Sequence, residues 1–139
     1  MQQPVPTEEE LFYDGATMIT ETDRKGIITY VNRKFVTMSG YAKNELIGQS
    51  HNIMRHPDMP KIVFKEMWEN LKNAEPWKGY IKNLRKDGSF YWVVVFITPK
   101  HDDQGNLTGY IAARELPGPQ TLEDIKKAYR QYRTEETAS

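Results

Sequence analysis

Two short runs, Met18-Ile19-Thr20-Glu21-Thr22 and Ile27-Ile28-Thr29-Tyr30-Val31, rich in apolar and β-branched residues, flank the polar Asp23-Arg24-Lys25-Gly26. Such runs suit strands, and glycine at a tight link supplies a positive φ. The pair therefore predicts a β-hairpin. Before it, residues 7–14 read as a short helix capped by Thr7, with acids in its first turn. After it, Asn32 caps a short helix through Met38 that Gly40 ends, and a further turn or two over 43–47 closes at Gly48. Residues 51–60 read as irregular or briefly helical. Asp58 then stands as an N-cap before Met59-Pro60, with proline in the first turn. Ile62, Val63, Met67, Trp68 and Leu71 recur at spacings of three and four, the buried stripe of a longer helix.

From Trp77 onward the chain turns to sheet. Strands are predicted over 77–84 and 90–98 around Arg85-Lys86-Asp87-Gly88-Ser89, and a fifth over 107–115 after the turn 102–106. Pro117-Gly118-Pro119 ends the sheet, and Leu122, Ile125, Tyr129 and Tyr132 mark a terminal helix over 121–133. Its seam has the spacing of a coiled coil, but so short a run favours packing back on the sheet. The fold class is α+β: a five-stranded antiparallel sheet with short helices and one longer helix over one face, with room for a pocket between the layers.

Composition narrows the function. A chain of 139 residues suits one domain. Lys and Arg together number 19, as do Asp and Glu, so charge argues for neither nucleic acid nor an anionic membrane as partner. With no cysteine, the chain makes no disulfide, thiolate metal site or cysteinyl–flavin bond. No apolar run reaches the ~18 residues of a membrane span, and the N-terminus lacks a signal-peptide core. The expectation is a soluble, cytoplasmic protein.

The densest chemistry is His51-Asn52-Ile53-Met54-Arg55-His56-Pro57-Asp58-Met59-Pro60. His51 and His56 sit about 140° apart on an ideal helix, and Arg55 brings fixed positive charge, so a metal site is disfavoured. Heme ligation through one imidazole is an alternative, and a plain structural role, with Asp58 capping a helix, is another. Arg55 suits a pyrophosphate or other acceptor oxygens. No nucleophile–base–acid set, phosphate loop or nucleophile elbow stands out, so no enzyme activity is expected. His101 reads as a solvated loop residue.

Ser39-Gly40-Tyr41, Glu45-Leu46-Ile47-Gly48 and Arg85-Lys86-Asp87-Gly88 resemble the PAS domain family, over residues 12–116. His51-Asn52, Arg55 to Pro60, Glu75-Pro76-Trp77 and Lys82-Asn83 are similar to the PAS domain of bacterial aerotaxis receptors. That resemblance implies non-covalently bound FAD whose redox state is relayed to a chemotaxis-type signalling domain or protein. It implies flavin contacts at His51, Asn52, Arg55, His56, Asp58, Trp77 and Asn83. Residue types leave FMN open, and a cofactor-free, dimerising PAS module is the rival of a different class. The implied organisation is an N-terminal cap over 1–11, a sensor domain over 12–116 and a linker helix over 117–139. The membrane anchor and coiled coil that follow in aerotaxis receptors are absent from this sequence, so an excised domain or a separate sensor subunit is expected.

Overall fold

A computed structural model describes residues 2–138. Five antiparallel strands, β1 (Met18–Asp23), β2 (Ile28–Val31), β3 (Trp77–Leu84), β4 (Phe90–His101) and β5 (Leu107–Glu115), form one sheet in the order β2-β1-β5-β4-β3. The N-terminal hairpin thus pairs with the last strand, and the helical segment between β2 and β3 must cross one face. That segment holds α1 (Arg33–Ser39), α2 (Lys43–Leu46), a 3₁₀ turn (His51–Met54) and α3 (Lys61–Lys72).

Local chemistry explains these breaks. Asn32 Oδ1 accepts from the Phe35 amide at 3.0 Å, which caps α1, and Gly40 ends it at φ +77°. Ser50 Oγ accepts from the Asn52 amide and opens the 3₁₀ turn. The core lies where inward strand positions (Met18, Tyr91, Val93, Val95, Ile97, Tyr110) meet Phe35, Met38, Leu46, Met54, Val63 and Leu71.

The helix α4 (Pro119–Ala138) packs on the opposite face. Tyr129 Oη donates to the Tyr80 carbonyl at 2.6 Å, and its ring lies 5.9 Å from that of Trp92. Tyr80 and Trp92 are out of phase with the core-facing residues of their strands, so the outer face is where α4 rests. Of the ranges expected from the sequence, only Met1 and Ser139 lie outside the described residues.

Four expectations need correction. Residues 7–14 are not helical: they run extended along the start of β4, where Leu11 N–H donates to the Phe90 carbonyl and Phe90 N–H to the Glu9 carbonyl. This geometry turns Leu11 and Tyr13 to the same side, where Tyr13 is buried in the core and Leu11 packs against it. Asp58 does not cap α3. The helix starts at Lys61 after Pro60, which has no side-chain cap, and the Lys61 amide donates to Glu136 Oε1 of α4. Ile62 is 39% exposed and leaves the buried stripe, because Phe64 turns toward the sheet instead. Finally, β4 runs on to His101, and α4 extends beyond 121–133 at both ends.

At Gly109 a Cβ would run into the Thr22 carbonyl oxygen across the β1–β5 pair, a backbone atom that cannot swing aside. Gly118, between β5 and α4, has no positive φ, and a Cβ there would meet only Thr121 Oγ1 at 3.9 Å. Urea unfolding should show Gly109→Ala losing about 1–3 kcal/mol, clearly more than Gly118→Ala. Equal losses would mean the β1–β5 spacing relaxes freely.

Candidate functional site

Both edges of the sheet are covered by the segment that crosses it. At β2, the Ile28 amide donates to the Gln49 carbonyl and the Gly48 amide to that of Ile28. At β3, Arg55 forms an antiparallel bridge with Asn83, and the His56 amide donates to the Lys82 carbonyl at 3.3 Å. Uncovered edges invite pairing with other chains, so this cover protects the fold. It also closes a cavity between the sheet and α3.

That cavity has a volume of about 80 Å³, several times the roughly 10–15 Å³ that one water needs. Met67, Leu71, Ile81, Val95 and Ile97 supply apolar walls, with the Phe64, Trp68 and Tyr110 rings beside them. Polar groups enter from two sides. One is Asn83 of β3, 3% exposed, beside the Tyr91 phenol of β4; Asn83 Nδ2 and the Tyr91 hydroxyl are both buried without a hydrogen bond of normal geometry among the described residues. Such a donor costs about 1–3 kcal/mol when left unmet.

The other is a set built on β1, β5 and the 3₁₀ turn. Arg114 Nη1 donates to Thr20 Oγ1 at 3.0 Å, and Nη2 to His51 Nε2 at 2.7 Å. Because a guanidinium only donates, His51 Nε2 is the accepting nitrogen and the imidazole is neutral. The ring is placed by its own backbone, whose amide donates to the Gly26 carbonyl at 2.9 Å. Burial, and then the Arg114 charge, hold the His51 pKa down to about 3. Burial lowers the Arg114 pKa to about 10, which leaves it charged at neutral pH.

The structure brings His51, Asn52, Arg55 and Asn83 of the expected set to this cavity. The Arg55 guanidinium lies over the Phe64 ring, 3.5 Å from its centroid. The carbonyls of Asn52, Ile53 and Arg55 all face the Gln3 side-chain amide, which straps the N-terminal segment across the turn. His56, Asp58 and Trp77 are not among the lining residues. His56 Nδ1 accepts from the Asp58 amide at 3.0 Å behind the β3 edge, and burial lowers its pKa, with Lys82 adding to the effect. The Asp58 carboxylate is exposed and pairs with Lys82 Nζ at 3.1 Å. Trp77 folds over Gly79, whose missing Cβ leaves room for the indole.

Thr20, Arg114, Phe64, Trp68 and Tyr110 were missed. The signal for two of them was present: Thr20 and Arg114 occupy inward phases of their strands, beside Met18 and Ala112. A charged residue at such a phase marks either an error in phase or a polar pocket. No group of three or more metal-ligating side chains occurs among the described residues.

Comparison with known proteins follows this geometry. The sequence matches the PAS fold over residues 28–114, more than half of its length. The chain belongs to the PAS family. This PAS domain is 41% identical over 117 residues to the aerotaxis receptor of Escherichia coli (strain K12), a match covering 84% of the chain and 23% of that protein. It is 35% identical over 110 residues to the nitrogen fixation regulatory protein of Klebsiella pneumoniae, covering 78% of the chain and 22% of that protein. The chain therefore spans less than a quarter of these curated relatives. Among solved structures, a PAS domain from Colwellia psychrerythraea is 27% identical, with TM-score 0.66 over 73% of this chain and 86% of that one. The dark structure of the blue-light photoreceptor Aureochrome1 LOV is 17% identical, with TM-score 0.70 over 89% and 97%, a likeness of fold alone. The resemblance read from Ser39-Gly40-Tyr41 and Arg85-Lys86-Asp87-Gly88, and the α+β sheet expected with it, are borne out.

The neutral imidazoles carry a pH signature. Folded His51 and His56 bind fewer protons than their unfolded counterparts, so stability rises with pH through the window below about 6.5 and is fully present above it. For His51 the window reaches down to about 3. Urea midpoints should be higher at about pH 7.5 than at about pH 5, and His51→Gln should shrink the difference. A His51→Gln protein that keeps the full difference would place the titration elsewhere.

Proposed function

We propose that this PAS domain is a redox sensor that holds FAD non-covalently in the cavity and relays its redox state to a chemotaxis-type signalling partner. The observation that carries the reading is the buried Asn83 amide among the residues lining the cavity, with Nδ2 unpartnered next to the Tyr91 hydroxyl, in a chain 41% identical to an aerotaxis receptor. The donor set fits an isoalloxazine: flat apolar walls, an amide with both donor and acceptor, and a second polar end at Thr20, His51 and Arg114. A bound flavin supplies reversible redox chemistry; the protein supplies the surroundings that respond to it.

Asn52 and Arg55 stand where the 3₁₀ turn meets the cavity, and Arg55 offers charged donors to the dinucleotide beyond the ring. His56 and Asp58 act behind that wall by holding the 55–60 loop to β3. Trp77 shapes β3 from the same face. Asn83 is also backbone-bridged to Arg55, so a change in its side-chain bonding is felt at once by the loop covering the edge. From β3 the route outward is short: the Tyr80 carbonyl receives the Tyr129 hydroxyl of α4. In this reading residues 12–116 sense, the segment 1–11 caps the turn, and 117–139 passes the signal on. A state-dependent contact is what a sensor needs, because a ligand shifts an equilibrium only through differential interaction. No described helix is long and apolar enough to cross a membrane. The proposed setting is the cytoplasm, near the membrane through the partner, with no catalytic turnover.

Purified protein should show flavin absorption bands and release FAD, rather than FMN, on denaturation. Asn83→Ala and Arg55→Ala should each retain less flavin, while His101→Ala, an exposed residue at the end of β4, should retain it fully. Protein that stays colourless after refolding with excess FAD would sink the reading, and a Soret band would replace flavin with heme.

A further inference from the structure

The polar end of the cavity holds a charge that the protein does not answer. Arg114 is 2% exposed, and the ion pairs of the described residues all join other groups. Its partners are neutral: the Thr20 hydroxyl, the His51 imidazole, the Ala112 carbonyl at 3.5 Å and the Phe35 ring, whose centroid lies 4.8 Å from Cζ. Tyr13 and Tyr91 also face it, and burial raises both phenols, so they stay uncharged at neutral pH.

A guanidinium has five N–H donors. Nη1 spends its two on Thr20 and Ala112, and Nη2 one on His51, which leaves the Nε hydrogen and one Nη2 hydrogen without an acceptor among the described residues. An ionised group taken out of water and left unpaired costs several kcal/mol. The fold has no evident need of it. The β1–β5 register is set by backbone pairing, and the Thr20 hydroxyl lies 3.4 Å from His51 Nε2, so these two can bond to each other without Arg114.

We propose that Arg114 is the residue by which the cavity reads its ligand, selecting a planar molecule that presents acceptor atoms or negative charge at the Thr20–His51 end, and that the ligand-free domain is less stable for keeping it. Arg114 supplies positioning and selectivity; the Asn83 amide and the apolar walls would accept many flat rings. The inference rests on the flavin reading for the identity of the ligand, but its stability component stands apart from it. A merely structural residue stabilises the protein with or without ligand. A ligand-reading charge has opposite signs in the two states.

Arg114→Met keeps the aliphatic stem and removes the charge. In flavin-free protein its thermal midpoint should rise by several degrees, while the FAD dissociation constant should increase by about tenfold or more, the scale of one lost charge-assisted hydrogen bond. Arg114→Lys keeps the charge without the planar fork, and should show no such rise in midpoint. A lowered or unchanged midpoint in Arg114→Met, including failure to fold, overturns the proposal, as does unchanged FAD affinity. If the natural chain binds no FAD, the flavin reading alone falls. The midpoint of Arg114→Met then decides: a rise supports an unanswered charge awaiting another acceptor ligand, and a fall overturns it.

Discussion

The backbone pairing of residues 55–56 with the outer edge of β3 is the constraint on which the rest of the molecule depends. A sheet whose last strand carried free N–H and C=O groups would be open to other chains, and the crossing segment would have no fixed height above it. Once Arg55 and His56 are bonded to Asn83 and Lys82, α3 is held off the sheet by a set distance. The Phe64, Trp68 and Tyr110 rings line the space between. Cavity and edge protection are thus one device.

Within that space, strand geometry dictates where polar chemistry can stand. Every second residue of β1, β3 and β5 faces inward, so Thr20, Asn83 and Arg114 have no outward alternative in this register. Burial first, and then the Arg114 charge whose effect the low dielectric magnifies, keep the neighbouring imidazole unprotonated.

Much of this arrangement was legible in the residues. The two hairpins, the Asn32 cap and the stripe Val63, Met67, Leu71 follow from local periodicity and capping, which act over a few residues. His51, Asn52, Arg55 and Asn83 were found as chemistry out of place in their surroundings or through family likeness. What local rules missed was decided by distant partners. Residues 7–14 carry a plausible helix start, yet β4 offered them a ladder. Asp58 looks like a cap, but Lys82, a residue of β3, claims its carboxylate. Arg114 stands at an inward phase near the end of its strand, and the sheet order, with β5 in the centre, puts it under cover.

The bond between the Lys61 amide and Glu136 has an implication for where the unit ends. Pro60 leaves α3 without a cap of its own, and the group that meets its first free N–H comes from a helix on the other side of the sheet, 75 residues further on. The sheet ends at Glu115, yet α4 reaches back through that one carboxylate to the start of the helix that walls the pocket, so a displacement of the end of α4 is felt at the pocket wall.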